Sequence, residues 1–291
     1  MENESCFAVI GGDMRSAYLA GSLAADGFTV YSAGLENAGY CGDSVIMTDV
    51  FTAIRMSAII IFPLPVVRVA TFLNAPFSMK SVSLDERMLE ALQGKRIFAG
   101  MSEGLKRISR GWEILPVIDY YKVEEFQILN ALATAEGALA LALIGAPYVL
   151  NGSKCLVSGY GRIGKMIASK LKALGAEVYV AARKSTDLAW IETMGYAPIR
   201  FEELKSVIRN IDIVFNTVPK LVINEGLIAQ MKRSSMLIDL ASYPGGIDLR
   251  AAEKYGIRTE FAPGLPGKYS PFSSALIIKD TVRSILREAQ K

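Results

Sequence analysis

The residues best suited to ligand binding are three glycines in the sequence Gly-Tyr-Gly-Arg-Ile-Gly at positions 159–164. An apolar stretch precedes them at residues 154–158, and apolar residues at helical spacing follow them. In a strand–turn–helix unit, the first glycine allows a tight turn, the second lets a diphosphate approach the backbone, and the third lets the helix pack closely on the strand. The helix N-terminus adds free N–H groups and partial positive charge. The motif predicts a dinucleotide site formed by Gly159, Tyr160, Gly161, Arg162, Ile163 and Gly164; the alternative is a glycine-rich turn without a ligand.

The choice of dinucleotide is made at the end of the second strand of such a unit, where NAD-binding proteins usually place a carboxylate on the ribose hydroxyls. This sequence has Arg183, Lys184 and Ser185 there instead. A guanidinium makes paired, charge-assisted hydrogen bonds to a phosphate. NADP is therefore predicted over NAD, against the alternative that these are ordinary surface charges.

Two further segments come directly after predicted strands, where ligands of open parallel sheets bind. We expect their backbones to contact the nicotinamide half of the dinucleotide, although both could be ordinary turns. The residues are Asn216, Thr217, Val218 and Pro219, and Asp239, Leu240 and Ala241.

The composition excludes several kinds of chemistry. The sequence contains no histidine and three scattered cysteines, so it offers no imidazole base, no Ser-His or Cys-His pair and no histidine-containing zinc site. We expect no metal centre. The 32 basic and 29 acidic residues are interspersed and give a net charge of +3, which argues against nucleic acid as a partner.

Two segments bear on location. The N-terminus, Met1-Glu2-Asn3-Glu4-Ser5, lacks the basic start of a signal peptide, and the cysteine pattern fits a reducing cytoplasm. Residues 126–150 are long enough to span a bilayer, but they are rich in alanine and interrupted by polar residues and proline. We interpret them as a buried helix between domains and expect no membrane association.

Apolar runs that alternate with helical patterns predict parallel α/β structure throughout. Strands are expected at residues 7–10, 29–32, 58–62, 96–99, 113–116, 154–158, 177–181, 213–216, 237–240 and 258–261. A long helix is expected at 123–144, a rigid loop at 263–268 and a final helix at 273–289.

The 291 residues are enough for two domains. The fold class predicted is α/β, with two Rossmann-like parallel-sheet domains, a crevice between them and a long inter-domain helix. Residues 1–122 would form a substrate domain and residues 123–268 the NADP-binding domain with its leading helix. Residues 269–291 would form a C-terminal helix that returns to the first domain.

Taken together, several motifs resemble the A-subunit family of dipicolinate synthase, in the same order and with similar spacing over nearly the whole chain. Besides the glycine turn with Ala182-Arg183, they are Gly11-Gly12-Asp13, Ala99-Gly100-Met101-Ser102, Thr134-Ala135-Glu136-Gly137, the runs 216–219 and 239–246, and Ala262-Pro263-Gly264-Leu265-Pro266-Gly267-Lys268.

The resemblance implies NADP-dependent oxidation of a dihydrodipicolinate-level substrate to dipicolinate, in the mother-cell cytoplasm of a sporulating bacterium. It also implies a flavoprotein-like partner, the dipicolinate synthase B subunit, and a homo-oligomer is possible. The architecture is similar to that of D-2-hydroxyacid dehydrogenases. Those enzymes use an active-site histidine that this sequence lacks.

Four residues are candidates for substrate contact. Arg15, Ser102 and Lys268 could anchor the two carboxylates of the substrate, although Arg15 and Lys268 could equally be surface charges. Glu136 lies in an apolar helix, where a carboxylate is costly unless paired. It is either held by a neighbouring cation or acts as a proton acceptor.

Two other functions remain open from the sequence. One is an NADP-dependent dehydrogenase for another small carboxylate or imino acid, which would use the same cofactor site. The other is a non-catalytic NADP-binding subunit, which the missing histidine mildly favours.

Overall fold

A computed structural model describes residues 6–289, so the acidic start at residues 1–5 lies outside the described residues. Contacts divide the described chain into two compact units. The first unit comprises residues 6–130 and 270–289, and the second comprises residues 131–269. The boundary between residues 130 and 131 falls within a long helix, Glu124–Gly145.

The strands are numbered along the chain. They are β1 (Cys6–Ile10), β2 (Thr29–Ala33), β3 (Ile46–Met47), β4 (Ile59–Ile61), β5 (Val67–Val69), β6 (Phe72–Leu73), β7 (Arg96–Ala99), β8 (Val117–Asp119), β9 (Lys154–Ser158), β10 (Glu177–Ala182), β11 (Ala197–Arg200), β12 (Ile213–Asn216), β13 (Met236–Asp239) and β14 (Arg258–Phe261).

The α-helices are numbered in the same way. They are α1 (Met14–Ala25), α2 (Val50–Met56), α3 (Glu86–Ala91), α4 (Glu103–Lys106), α5 (Arg110–Ile114), α6 (Glu124–Gly145), α7 (Arg162–Ala173), α8 (Ser185–Thr193), α9 (Leu204–Val207), α10 (Glu225–Ile228), α11 (Leu249–Lys254), α12 (Leu265–Tyr269) and α13 (Pro271–Glu288).

Each unit contains one six-stranded sheet in which every pairing is parallel. The order is β3-β2-β1-β4-β7-β8 in the first unit and β11-β10-β9-β12-β13-β14 in the second. Numbered within each sheet, both orders read 3-2-1-4-5-6, the doubly wound Rossmann arrangement. The prediction of two Rossmann-like parallel sheets is therefore confirmed.

The central strands are apolar because helices cover both faces of each sheet. In the first unit, Phe7 and Val9 of β1 point to a cluster that includes Ile278 and Val282 of α13, whereas Ala8 and Ile10 point to the opposite cluster. Within this unit α13 packs along α1. In the second unit, Ala135, Ala138 and Ala142 of α6 join the cluster that covers one face of its sheet.

Helix α6 is the part of the described chain that is long and apolar enough to cross a membrane by length and composition. Within its most apolar window, 44% is buried inside the protein. Phe126 packs edge-on against Tyr120 at 5.5 Å between ring centroids, and Ala135, Ala138 and Ala142 are fully buried. These contacts are typical of a core helix in a folded protein.

The prediction of a strand at residues 113–116 is wrong. The structure places α5 there, because Trp112 is buried and its indole N–H donates to the Leu84 carbonyl at 2.9 Å. Pro116 disfavours a helical conformation at Leu115, so the helix stops and β8 begins at Val117.

The prediction of a rigid loop at residues 263–268 is also wrong in part, since α12 begins at Leu265. A proline in the first turn of a helix is tolerated because the N–H that it lacks has no partner within the helix. Strands β3, β5, β6 and β11 were not predicted, since each is short or has few apolar residues.

Candidate functional site

The turn between β9 and α7 uses each of its three glycines for a different physical reason. Gly159 has a φ of 100°, a left-handed conformation that side chains disfavour. A methyl group on Gly164 would collide with the carbonyl oxygen of Gly159, so this glycine lets α7 pack against the turn. A methyl group on Gly161 would meet no described atom within 4 Å. The space in front of Gly161 is thus open to a ligand.

The N-terminus of α7 can accept an anion. Gly161 is the N-cap of this 12-residue helix, and as a glycine it has no side chain with which to cap the first turn. The first-turn N–H groups and the helix dipole therefore face the open space. In the first unit, the N-cap Asp13 instead accepts the N–H of Arg15 at 3.0 Å and places a carboxylate at the corresponding helix end. Of the two turns, the one in the second unit suits a diphosphate.

A buried network joins the carboxyl ends of β9, β12 and β13. The Ser158 hydroxyl donates to the side-chain oxygen of Asn216 at 2.6 Å, and the Asn216 amide donates to Asp239 at 2.7 Å. All three side chains are at most 1% exposed. Because these polar groups are bonded to one another, they hold the strand ends together and do not face a ligand.

The same network shapes two loops beside the glycine turn. Asp239 accepts the N–H groups of Gly246 and Ile247 at 2.8 and 3.1 Å, and the Asn216 amide also donates to the Val218 carbonyl at 3.0 Å. Loops 217–219 and 240–246 are thereby fixed at the carboxyl edge of the sheet. Backbone contact of these loops with the nicotinamide half of the dinucleotide remains a prediction. The contributions of Ser158 and Gly246 were not predicted; Ser158 lies 58 positions from its partner Asn216, and Gly246 lies seven positions from Asp239.

The end of β10 carries a cluster of basic residues. Arg183 and Lys184 are exposed after the strand, and Ser185 begins α8. Arg200, at the end of β11, pairs in register with Ala182, and its guanidinium lies 3.5 Å from the Ser185 hydroxyl. Arg200 was not predicted because β11 was missed. The sequence signal that could have found it is an arginine placed directly before Phe201, after a short segment with alternate apolar residues.

Tyr160 lies in the glycine turn with the Lys165 ammonium 5.3 Å from its ring centroid. Burial, followed by the charges of Tyr196 and Asp187, raises the pKa of its hydroxyl. The phenol therefore stays protonated at neutral pH and can donate a hydrogen bond.

Arg15 is a buried cation that joins two turns of the first unit. Its guanidinium pairs with Asp13 through hydrogen bonds of 2.9 and 2.8 Å and also donates to the Leu64 carbonyl. Arg15 is 7% exposed. These bonds engage Nε and Nη2, whereas Nη1 forms no hydrogen bond with a described residue.

Ser102 is held by Asp119. The Asp119 carboxylate accepts the N–H groups of Met101 and Ser102 at 3.1 and 2.8 Å and the Ser102 hydroxyl at 3.0 Å. Met101 has a φ of 59°, a conformation that few non-glycine residues adopt. The N–H groups of Met101 and Ser102 are thus already donated within the protein and are not left for a substrate carboxylate. The bonds to Asp119 therefore hold the strained turn.

Glu136 pairs with Lys170 of α7 at 2.8 Å, and its side chain is 54% exposed. This is the cation pairing that one of the two interpretations of Glu136 requires. Lys268 lies on α12, is exposed, and has its ammonium 5.4 Å from the Tyr269 ring centroid. Helix α12 packs on α6, since a methyl group on Gly137 would press on Leu265.

Comparisons with known proteins agree with this geometry. Residues 6–108 match a family model described as the N-terminal domain of the dipicolinate synthase A subunit. Residues 145–242 match the NAD-binding domain of D-isomer specific 2-hydroxyacid dehydrogenases. The dipicolinate synthase A subunit of Bacillus subtilis (strain 168) is 32% identical over 286 residues, which cover 97% of this chain and 96% of that protein. The chain belongs to the A-subunit family of dipicolinate synthase.

Solved structures of the same family share this fold. The dipicolinate synthase A chain from Bacillus subtilis aligns with a TM-score of 0.85 and 32% identity, over 98% of this chain and 96% of that one. The A subunit from Bacillus halodurans aligns with a TM-score of 0.86 and 29% identity, over 98% and 99%. A transhydrogenase from Sinorhizobium meliloti is 14% identical with a TM-score of 0.69, over 98% and 94%, and shares the fold alone.

The two family models divide the candidate residues of this member of the A-subunit family. Arg15 and Ser102 lie in the N-terminal match, whereas the glycine turn, the basic cluster and the Ser158 network lie in the NAD-binding match. The chain is therefore an oxidoreductase with a nicotinamide-dinucleotide-binding domain, and the residues that match this domain lie in the second unit.

Proposed function

We propose that this chain is the NADP-dependent catalytic subunit of a dipicolinate synthase. The observation that carries the proposal is the open space in front of Gly161 at the N-terminus of α7, with the basic cluster at the neighbouring strand ends, in a chain of the A-subunit family. The family supports the substrate class, and the cluster supports the choice of dinucleotide.

The residues around the open space fit NADP. First-turn N–H groups of α7 would hold the diphosphate. Arg183 and Arg200 would hold the 2′-phosphate, supported by Lys184 and Ser185. When bound, the oxidised nicotinamide supplies a hydride acceptor.

The reaction removes a hydride and a proton from the dihydropyridine ring and leaves an aromatic pyridine dicarboxylate. Because aromatisation favours the product, the chain has little need of a histidine base. Its main contribution is to orient the ring and bind the carboxylates. Arg15 is the proposed anchor in the first unit, since Nη1 is left over from its bonds to Asp13 and Leu64.

The other three candidates have weaker support. Lys268 is exposed and has a long side chain with which to reach an anion, which keeps it as a candidate anchor. Ser102 would act by holding the turn at Met101. Glu136 would accept a proton only if it exchanged its Lys170 partner for the substrate.

The assembly and location are also proposals. The names of the relatives include the word "subunit", which supports a complex with the flavoprotein-like B subunit of dipicolinate synthase. We propose that the complex works in the mother-cell cytoplasm of a sporulating bacterium, with homo-oligomerisation of this chain possible.

One experiment tests the function directly. The purified chain is titrated with NADP and NAD by calorimetry and then supplied with NADP and dihydrodipicolinate formed in situ, with and without the B subunit. We expect tighter binding of NADP and formation of dipicolinate, followed by its ultraviolet absorption. Absence of heat with either nucleotide from the folded chain would refute the enzymatic proposal. Binding without turnover, even when the B subunit is present, would instead favour the non-catalytic alternative or a different small-carboxylate substrate.

A further inference from the structure

Each unit contains an equivalent hydrogen bond after its first strand, and the two units also have the same strand order. In the first unit, the N–H of Gly11, which follows β1, donates to the carbonyl of Ala33 at the end of β2, at 2.8 Å. In the second unit, the N–H of Gly159 donates to the carbonyl of Ala181 in β10, at 2.9 Å. The loop after β2 therefore corresponds in place to the loop after β10, which carries the basic cluster.

Glu36 occupies the position in the first unit that Lys184 occupies in the second, three residues beyond the bonded carbonyl in each case. In dinucleotide-binding units, a carboxylate in this region accepts hydrogen bonds from ribose hydroxyls. Glu36 is exposed, and its oxygens accept the N–H groups of Gly34 and Met79 at 2.8 and 3.2 Å. The carboxylate is thus held in place and still has lone pairs for a ligand.

A cavity of about 690 Å³ opens beside this carboxylate, entirely within the first unit. Gly34, Glu36 and Thr48 line it at the ends of β2 and β3, and α2, α3 and residues 78–83 form its walls. Its volume lies within the range of about 300–1,000 Å³ typical of small-molecule sites. Its place at the carboxyl ends of neighbouring parallel strands is where ligands of open α/β sheets bind.

One wall of the cavity can stack against a flat ring. The Arg87 guanidinium lies over the Phe51 ring, 4.1 Å from its centroid, and both residues line the cavity. Met79 and Val82 add apolar surface. Aromatic and guanidinium planes are the surfaces on which proteins stack nucleobases.

The charges of the cavity disfavour a polyanion. Its lining includes three carboxylates and two cations. The carboxylates belong to Glu36, Asp49 and Asp85, and the cations are Lys80 and Arg87. Hydrogen bonds from Thr52 lower the pKa of Asp49, so this carboxylate is charged at neutral pH.

The neighbouring glycine turn is closed to phosphates. The N–H of Gly12 already donates to the Asn74 carbonyl at 2.7 Å, and the Asp13 carboxylate caps α1. A diphosphate placed as proposed for the second unit would face this carboxylate.

We propose that the cavity of the first unit binds a ribonucleoside without phosphates, with its base on the Phe51–Arg87 wall and its ribose hydroxyls on Glu36. This is a second site, separate from the nucleotide site of the second unit.

Calorimetry on the full chain tests the proposal, with adenosine as the probe and excess NADP to block the second unit. Adenosine should bind at one site, and 2′-deoxyadenosine about 10-fold more weakly, because one hydroxyl donor to Glu36 is lost. Phe51→Leu keeps apolar volume but removes the aromatic plane, and it should weaken adenosine binding about 10-fold. Arg55→Gln is the control for Arg87→Gln, since Arg55 also lies near the cavity on α2 but does not line it.

Failure of adenosine to bind, or equal affinity in the Phe51→Leu, Arg87→Gln and parent chains, would overturn the proposal. Tighter binding of adenosine 5′-monophosphate than of adenosine would overturn the exclusion of phosphate. If NADP itself does not bind, the Phe51→Leu and Arg87→Gln chains still locate the adenosine site, so the two proposals fail separately.

Discussion

The amide of Asn216 donates a hydrogen bond of 2.7 Å to the carboxylate of Asp239, and both side chains are buried at the carboxyl ends of adjacent strands. Through this bond, β12 and β13 position the two loops that border the proposed nucleotide site. Asp239 is also held by backbone N–H groups from residues 241, 246 and 247. The pair is therefore a positioning element of the site.

Asn216→Asp would place two carboxylates in buried contact. We expect the free energy of unfolding to fall by about 3 kcal/mol or more at neutral pH, because neither charge would have a partner cation. Urea denaturation followed by circular dichroism measures the change. Asn210→Asp, an exposed position in the same unit, is the control and should change stability by less than about 0.5 kcal/mol. If the two variants were equally stable, the Asn216–Asp239 pair would have no positioning role.

Gly161→Ala tests whether a ligand occupies the open space in front of the turn, and Gly164→Ala tests whether the helix needs the close contact with the turn. The methyl group of Gly161→Ala meets no described atom, so the melting temperature should stay unchanged while NADP affinity falls at least about 10-fold. Gly164→Ala would push its methyl group against the Gly159 carbonyl, so its melting temperature should fall. Differential scanning calorimetry and titration of both chains measure these effects. Retained NADP affinity in Gly161→Ala would place the diphosphate elsewhere.

Arg183→Ala and Arg200→Ala test the choice of dinucleotide. Each change removes charge-assisted hydrogen bonds to a 2′-phosphate, so NADP affinity should fall about 10-fold or more, with NAD affinity altered less than about twofold. Arg209→Ala, an exposed arginine in the same unit, controls for loss of surface charge. Equal losses for both nucleotides would contradict the 2′-phosphate assignment.

Glu136→Gln distinguishes the two roles of this carboxylate. Its pairing with Lys170 is partly exposed, so the change should alter stability by less than about 1 kcal/mol. On the structural interpretation, turnover should stay within about twofold of the parent chain. A large loss of turnover with unchanged NADP affinity, measured by steady-state kinetics, would show that Glu136 accepts a proton in the reaction. Lys170→Met is the companion variant, because it breaks the ion pair and keeps the carboxylate.

The sequence alone was sufficient for the two parallel sheets and for the glycine turn. Both are encoded locally: apolar runs of strand length alternate with helical spacing, and Gly159, Gly161 and Gly164 satisfy requirements within six residues. Strand β11 escaped prediction because Ala197–Arg200 has only alternate apolar residues and includes a proline. Pairing with β10 is what makes it a strand.

Tertiary structure alone decided which polar groups remain available to a ligand. Asp119 accepts the N–H group of Ser102, and Lys170 pairs with Glu136. Arg200 reaches Ser185 and the basic cluster from a neighbouring strand. Each of these contacts joins residues 15 or more positions apart. A sequence pattern records which groups can form hydrogen bonds, but the partner that satisfies each group depends on how the strands are ordered in the sheet.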